Sequence, residues 1–321
     1  MKGSMAMKVL ITSRTFGKID SQPRDILEKA GFEIVMMGSD FSQEEFERIV
    51  PEFDALIIST HPFPEEVLEK CTKLKIICKH GVGLDNIPIE KCREMGISVC
   101  NTPGTNSNAV ADLAFGLILA SCRNIVLCNN NVHNGEWKTA IGVDAYKKTL
   151  GVLGYGAIAK NVIRRAKGFN MSVIVYNHRP REMDEEFKEY ARFGDLEEIY
   201  AKCDIITVHL PLTPETENLI SYDEIAKMKD GVVLVNTARG GIINEQALYE
   251  ACKSGKVRSA AVDVSVKEPM AADNPLRTLD NVIITPHLGM YSKEAINAVS
   301  IMCADNAAAK FTGRPLVNQV C

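Results

Sequence analysis

Residues 149–177 constrain the fold more than any other stretch of the chain. They read as an apolar strand, a glycine turn with the pattern G-x-G-x-x-A at Gly154, Gly156 and Ala159, a helix and a second apolar strand. A strand that enters a glycine turn and then a helix presents backbone N–H groups at the positive end of the helix dipole, where a pyrophosphate binds. The pattern predicts a Rossmann-type βαβ unit that binds a dinucleotide through Gly154, Gly156, Ala157 and Ile158.

The length and charge of the chain limit what the rest can be. A chain of 321 residues with 46% hydrophobic and 24% charged residues indicates a globular protein of two domains. The net charge of −4 provides no basic field, so we expect no nucleic-acid partner. No apolar run reaches the length of a membrane span and no signal-peptide pattern is present, so we expect no membrane association and a cytoplasmic location.

The cysteines and the first six residues do not contribute to the fold prediction. The ten cysteines include no C-x-x-C pair, which favours reduced thiols over a disulfide framework and predicts no metal site. Residues 1–6 resemble an addition ahead of a start at Met7, so they do not enter the fold prediction.

Short apolar strands alternate with helical stretches along the whole chain, which indicates parallel sheets covered on both faces. We predict an α/β protein with two doubly wound parallel-sheet domains: a Rossmann nucleotide-binding domain and a smaller flavodoxin-like substrate domain. The substrate domain is expected at residues 7–102 plus 292–321, with the last helix returning to it, and the Rossmann domain at 103–291. Predicted strands are 9–11, 33–37, 55–59, 74–79 and 98–100 in the first domain, and 149–153, 172–176, 204–209, 232–236, 259–263 and 282–286 in the second.

The stretch from Asn108 to Cys122 is apolar almost all round, with Asp112 as its only charge. A helix without a polar face must be buried, either between domains or against another subunit. We therefore predict a homodimer built partly on this helix.

Polar residues follow three neighbouring strands of the second domain, where ligands of open parallel sheets bind. They are Arg239, Asp263 with Glu268, and His287. Oxidation of an alcohol beside a carboxylate requires removal of the hydroxyl proton, and histidine titrates in the right range to remove it. His287 is the predicted general acid/base, Glu268 would fix its tautomer, and the planar guanidinium of Arg239 would hold the substrate carboxylate or keto oxygen.

A second candidate site follows the fourth strand of the first domain. Gly81 and Gly83 bracket Val82, and successive N–H groups there can form a concave nest for an anion such as a carboxylate. An ordinary loop explains the spacing equally well.

Several motifs in combination resemble the D-2-hydroxyacid dehydrogenases, and most closely their D-3-phosphoglycerate dehydrogenase branch. They are KHGVGLDNI (79–87), NTPG (101–104), the glycine turn, HLPLTPET (209–216), NTARGGII (236–243), Asp263 with Glu268-Pro269, and TPHLG (285–289). The resemblance implies a dimeric oxidoreductase with Arg239, Glu268 and His287 as the catalytic residues. It implies substrate binding by Lys79, His80, Gly81, Val82, Gly83, Arg239 and His287. It also implies cofactor contacts from Asn177, His178, Arg179, Leu210, Pro211, Thr216, Thr237, Ala238, Arg239, Asp263, His287 and Gly289.

The function implied by this resemblance is hydride transfer between NAD or NADP and a small D-2-hydroxy or 2-keto acid, foremost 3-phosphoglycerate and 3-phosphohydroxypyruvate, as in serine biosynthesis. Glyoxylate or hydroxypyruvate reduction is the alternative, and formate dehydrogenase is a weaker one, because that relative has an amide in the place of Glu268. From another class, a cofactor-sensing corepressor-like protein would keep the same three residues. Because the chain ends at Cys321, we expect no C-terminal regulatory domain and no feedback control by serine.

Two departures from the family pattern affect the substrate and the cofactor. The branch often places arginines in the small domain to hold a phosphate; Lys79 occupies one such place, but the other, near 58–60, has no cation. Asn177 replaces the acidic residue that would hold the ribose 2′-hydroxyl of NAD, and Arg179 follows it. Since a carboxylate would repel a 2′-phosphate and an arginine attracts one, NADP is predicted over NAD.

Overall fold

The computed structural model describes residues 7–38, 40–179 and 181–321, so the stretch 1–6 that was set apart lies outside the described residues. The chain divides into two compact units. The first contains the chain up to Asn106 together with Met290–Cys321, and the second is Ser107–Gly289.

Within the described residues the strands are β1 (Met7–Ile11), β2 (Phe32–Met36), β3 (Ala55–Ile58), β4 (Ile76–Lys79), β5 (Ser98–Cys100), β6 (Thr149–Leu153), β7 (Ser172–Tyr176), β8 (Ala191–Phe193), β9 (Ile205–Val208), β10 (Val232–Asn236), β11 (Val257–Val262) and β12 (Val282–Ile284). The α-helices are α1 (Gln22–Lys29), α2 (Gln43–Ile49), α3 (Glu65–Leu68), α4 (Ile89–Glu94), α5 (Ser107–Cys122), α6 (Ile125–His133), α7 (Ala157–Ala166), α8 (Leu196–Lys202), α9 (Tyr222–Lys227), α10 (Glu245–Ser254) and α11 (Lys293–Thr312).

The first unit is built on a parallel sheet with the strand order β2-β1-β3-β4-β5 over the described part of the chain. All residues of β3 and β4 are buried, because helices cover both faces and each face has its own apolar core cluster. This is the flavodoxin-like order, so the prediction of a flavodoxin-like α/β unit is confirmed.

The last helix, α11, belongs to this first unit. Its buried face, which includes Val299, Cys303 and Ala307, packs in the same core cluster as β1 and β4. The Ser292 hydroxyl accepts a hydrogen bond from Ala295 N at 3.1 Å and caps the start of the helix. Gly313 follows its last turn at φ +70°, a backbone conformation that favours glycine.

The second unit contains a parallel sheet with the order β12-β11-β10-β9-β6-β7-β8, counting the strands that the structure describes. Read from β8 to β11, the strands have the Rossmann order, and β12 is added at the far edge. The switch point lies between β6 and β9. The prediction of a Rossmann unit is confirmed, but the count of six strands was wrong. It missed β8, an edge strand of three residues that is too short to show an alternating pattern.

Helix α5 packs within the second unit. Its residues Ala111, Ala114, Phe115 and Ile118 lie in the core cluster that covers one face of the seven-stranded sheet. Only Asn108, Asp112 and Gly116 are exposed. Much of its apolar surface is therefore covered by its own sheet, an alternative that the sequence prediction did not consider.

No single helix among the described residues has the length and apolar character of a membrane span; only the bent pair α5 and α6, counted together, meets that criterion.

Candidate active site

The glycine turn after β6 has a geometry that only glycine can adopt at its first position. Gly154 has φ +110°, and a Cβ atom there would lie 2.6 Å from the carbonyl oxygen of His209. The backbone of His209 is held in place, because its N–H donates to the Leu153 carbonyl oxygen and its ring is bonded to the Thr207 hydroxyl. The close approach of β6 and β9 therefore requires Gly154.

The start of α7 is open to a ligand. Gly156 is its N-cap and no protein atom lies within 4 Å of a Cβ placed there. No side chain caps the helix and its first turn contains no acidic residue. Ala159 is completely buried, which allows α7 to pack on the sheet. Free N–H groups at an uncapped N-terminus with space in front fit a pyrophosphate, as the sequence predicts.

We expect Gly154→Ala to destabilise the second unit. The positive φ and the contact with the His209 carbonyl group should lower the free energy of unfolding by about 2 kcal/mol or more. This corresponds to a fall of roughly 4–8 °C in the thermal midpoint. Gly168→Ala is the matched control, since a Cβ at Gly168 has no atom within 4 Å and its φ is not positive. A differential scan in which both variants melt like the parent would contradict this account.

The loop after β7 has polar and basic side chains. The Asn177 side chain donates a hydrogen bond from Nδ2 to the carbonyl oxygen of Arg179 at 2.6 Å, while the side chains of His178 and Arg179 are exposed. In the loop after β9, the Thr216 hydroxyl donates to the carbonyl oxygen of Pro211 at 2.7 Å and closes a turn within that loop.

The loop after β10 is shaped by Asn236. Its amide donates to the carbonyl oxygen of Arg239 at 2.8 Å and its Oδ1 accepts from Ala238 N at 3.0 Å. The Thr237 hydroxyl is buried and has no hydrogen-bond partner within the described residues. Gly240 packs on Ser265, and a Cβ there would lie 2.1 Å from the Ser265 carbonyl group. The β10 and β11 loops are thereby held in direct contact.

Asp263, at the end of β11, organises the loop that follows β12. Its carboxylate accepts hydrogen bonds from Thr285 Oγ1 at 2.6 Å, Leu288 N at 2.7 Å and Gly289 N at 2.9 Å. Burial raises the pKa of Asp263, while these donors act in the opposite direction. The main chain of His287 also donates to the Asp263 carbonyl oxygen at 2.9 Å.

His287 and Glu268 form a hydrogen-bonded pair, with 2.8 Å between Nδ1 and Oε2. Burial alone would raise the pKa of Glu268, but the His287 hydrogen bond and charge, Ser265 N and the charge of Arg239 outweigh it and leave the pKa below its ordinary value. His287 has φ +55°, an uncommon conformation for a non-glycine residue, held by the Asp263 contacts. Its Nε2 has no partner in the described part of the chain.

The guanidinium of Arg239 lies in the same region. Its Nη1 donates to the Ala238 carbonyl oxygen at 2.8 Å, the side chain is half-buried, and its charge acts on Glu268. The structure therefore brings Arg239, Glu268 and His287 together at the carboxyl edge of one sheet.

The predicted nest in the first unit begins at a glycine with positive φ. Gly81 has φ +144°, and its carbonyl oxygen accepts both N–H and hydroxyl hydrogen bonds from Thr102. Among the described residues no acceptor takes the N–H groups of Val82 and Gly83, and Val82 is exposed. These donors are available to an anion, which favours the nest over an ordinary loop.

Two residues predicted beside the nest have their polar side-chain atoms bonded within the protein. Lys79 is 5% exposed, and its ammonium group donates to the Ser59 carbonyl oxygen and to Asn86 Oδ1. The His80 ring is buried and bonded to the hydroxyls of Ser13 and Ser300. Sequence spacing placed both residues beside the nest but could not show that their polar atoms are turned into the protein.

Sequence reasoning missed the residues that support the site. Asn236, Ser265 and Thr285 touch the loops of Arg239, Glu268 and His287 rather than a ligand. Asn236 and Thr285 belong to two of the family motifs, and their position at the end of a strand was the signal that could have identified them. No sequence signal identified Ser265.

The parallel order, the glycine turn and the open N-terminus of α7 define a dinucleotide-binding α/β protein of the Rossmann class. Residues 115–289 match the family model described as D-isomer specific 2-hydroxyacid dehydrogenase, NAD binding domain. The chain therefore belongs to the D-isomer specific 2-hydroxyacid dehydrogenase family, and the resemblance predicted from sequence is confirmed. The matched domain and the fit of the glycine turn make a nicotinamide dinucleotide the cofactor.

Individual relatives agree with this membership. The chain is 41% identical to a D-3-phosphoglycerate dehydrogenase of Methanocaldococcus jannaschii over 318 residues, which is 98% of this chain but only 59% of that protein. It is 41% identical to a hydroxypyruvate reductase of Thermotoga maritima, covering 84% of this chain and 88% of that one. The crystal structure of an NAD+-bound 3-phosphoglycerate dehydrogenase of Entamoeba histolytica superposes with a TM-score of 0.82 at 30% identity, covering 98% and 99% of the two chains.

Proposed function

We propose that this protein is an oxidoreductase that transfers a hydride between a nicotinamide cofactor and a small D-2-hydroxy or 2-keto acid. The observation that carries the proposal is the His287–Glu268 pair beside Arg239, at the sheet edge that also contains the glycine turn. Family membership and the names of the relatives support the same reaction class.

Each side chain has a role that its contacts permit. His287 Nε2 takes the hydroxyl proton of the alcohol or returns it to the keto oxygen, because Nδ1 is engaged by Glu268. Ionised Glu268 orients the ring and stabilises the imidazolium. Arg239 binds the carboxylate or keto oxygen through parallel N–H donors. When bound, the nicotinamide ring supplies the hydride acceptor or donor.

The binding residues follow from the same proposal. The orphaned Thr237 hydroxyl and Ala238 would contact the nicotinamide, and the nest at Gly81–Gly83 would bind the substrate carboxylate. Residues 7–102 with 292–321 form the proposed substrate domain and residues 103–291 the dinucleotide-binding domain. Lys79 would act through its charge, since its ammonium group is bonded within the protein.

We propose 3-phosphohydroxypyruvate and 3-phosphoglycerate as the substrate pair, supported by the names of the relatives from Methanocaldococcus jannaschii and Entamoeba histolytica. Hydroxypyruvate or glyoxylate reduction is the second candidate, because 58–60 has no cation and Lys79 is buried. Oxidation of reduced cofactor, followed at 340 nm with 3-phosphohydroxypyruvate, hydroxypyruvate, glyoxylate and pyruvate, tests both. No turnover of any of them would reject the function.

We further propose NADP as the preferred cofactor. Arg179 is exposed and Asn177 lacks the negative charge that would repel a 2′-phosphate. The NAD+-bound relative shows that the fold also serves NAD elsewhere in the family. A tenfold or larger preference for NADH in kcat/KM, which corresponds to about 1.4 kcal/mol, would reject the proposal.

We expect Asn177→Asp to move the preference towards NADH by roughly tenfold or more, because the new carboxylate bonds the 2′-hydroxyl of NAD and repels the 2′-phosphate of NADP. The ratio of kcat/KM for the two cofactors is the measurement. Asn170→Asp is the control, since Asn170 is exposed and bonded only to Tyr146 by its side chain in the described residues. An unchanged ratio in Asn177→Asp would show that this loop does not select the cofactor.

We also propose a cytoplasmic homodimer. Its support is a set of exposed apolar side chains after α5, including Trp137 at 89% and Ile141 at 93% exposure. A second copy of this chain is the proposed cover for them. A monomer by light scattering at micromolar concentration would reject it.

A further inference from the structure

The five-stranded sheet has a switch point between β1 and β3. The chain turns to β2 on one side of β1 and to the other strands on the opposite side, so the loops after β1 and β3 diverge. In open parallel sheets a ligand binds in the crevice at such a point, outside the carboxyl ends of the strands. Ile11 pairs with Ile57, so the loop after β1 starts beside the stretch 58–60, which contains no Lys or Arg.

Hydrogen bonds join the β1 loop to its two neighbours. The Thr12 hydroxyl accepts from Ser59 N at 3.2 Å, in the loop after β3. The Ser13 hydroxyl bonds His80 Nδ1 at 3.2 Å, and His80 directly precedes the nest. The other ring nitrogen of His80 bonds Ser300 on α11 at 3.0 Å. The residue after Ser13 is therefore held at the same end of the sheet as the nest.

That residue is Arg14, whose side chain is exposed. Over the described ranges, no hydrogen bond or ion pair holds its guanidinium. Three basic side chains at or just after the ends of β3 and β4 are differently placed: Lys79 is buried and bonded to Ser59 and Asn86, and burial lowers the pKa of His61 and His80 to about 4. Arg14 thus presents its guanidinium to solvent on the loop beside 58–60, a stretch that contains no Lys or Arg.

We infer that Arg14 binds the phosphate ester of the substrate while the nest at Gly81–Gly83 binds its carboxylate. The inference rests on the proposed 2-hydroxy acid function and specifies its substrate class. A planar guanidinium suits the task, because two parallel N–H donors match two phosphate oxygens. The Thr15 hydroxyl, 3.3 Å from the Ser13 hydroxyl, is a further donor on the same loop. Arg14 would then be the residue that selects a phosphorylated substrate over hydroxypyruvate or glyoxylate.

The test compares two substrates that differ only in the phosphate. Arg14→Gln should lower kcat/KM for 3-phosphohydroxypyruvate roughly 10- to 100-fold, mostly through KM, because the contact is the same in ground and transition states. The value for hydroxypyruvate should change less than about threefold, which separates loss of a phosphate contact from a general loss of structure. Arg14→Lys should be intermediate, since it keeps the charge and loses the fork. Arg48→Gln, which removes an exposed charge from α2 of the same unit, should leave both substrates unaffected.

Three outcomes would overturn the inference: equal losses for the two substrates, no loss for the phosphorylated one, or a parent enzyme that does not prefer it. If the parent enzyme turns over none of the 2-keto acids, the proposed function is rejected, and the role of Arg14 needs a test that does not depend on turnover. Calorimetric titration of the full chain with 3-phosphoglycerate and with glycerate then decides on Arg14 separately. Tighter binding of the phosphorylated acid that disappears in Arg14→Gln supports the subsite, and equal binding in both proteins rejects it.

Discussion

His287→Ala is expected to lower kcat roughly 10²- to 10⁴-fold, the usual contribution of a positioned general acid/base. The physical reason is the geometry of the ring: Nδ1 is bonded to Glu268 and Nε2 has no partner within the described residues, so only Nε2 is placed to exchange a proton. Steady-state rates with the preferred keto acid measure the effect. The thermal midpoint should stay within about 2 °C of the parent, since the main-chain bond from His287 to Asp263 is retained.

A double variant sharpens this test. If Glu268 acts through His287, then Glu268→Gln should slow the parent but should add little to His287→Ala, because residues that act as a unit are not additive. A multiplicative loss in the double variant would show that Glu268 has a separate role. A His287→Ala enzyme that retains more than about a tenth of the parent kcat would remove His287 from the mechanism.

Arg239→Lys is expected to lower kcat/KM at least about 100-fold, although the charge is kept. Lysine cannot offer two parallel donors to a carboxylate, and it cannot reproduce the bond from Nη1 to the Ala238 carbonyl oxygen with the same geometry. Both KM and kcat should change, because the contact orients the reacting carbon as well as binding the acid. The measurement is a full substrate titration with saturating cofactor.

Arg277→Lys is the matched control for this variant. Arg277 is exposed in the same unit and its side chain makes only a long contact with the Met270 carbonyl oxygen among the described residues. Its kinetics should equal those of the parent. A loss below about fivefold in Arg239→Lys would mean that charge alone suffices at this position.

The placement of Asp263 explains why these residues meet. A single buried carboxylate accepts from Thr285, Leu288 and Gly289, and this fixes the loop that holds His287 at positive φ. The sequence predicted Asp263 as a cofactor contact, and that role stays a prediction. Its part in shaping the loop was not foreseen, because hydrogen bonds between loops that lie far apart in the chain leave no local pattern.

The sequence by itself determined the strand and helix alternation, the glycine turn and the family, because these depend on local periodicity and on backbone conformations that few residues adopt. It failed at β8, where an edge strand of three residues has no periodicity, and at α5, where an apolar helix could not be assigned to a covering surface. Sequence spacing also placed Lys79 and His80 beside the nest without showing which way they point.

Only the tertiary structure decided the orientation of side chains. It turned Lys79 and His80 into the protein, brought His287 within 2.8 Å of Glu268, and left Arg14 exposed at the switch point. These outcomes depend on contacts between residues up to 220 positions apart, as in the bond from His80 to Ser300. Packing and strand order set such contacts, and neither is written in the spacing of neighbouring residues.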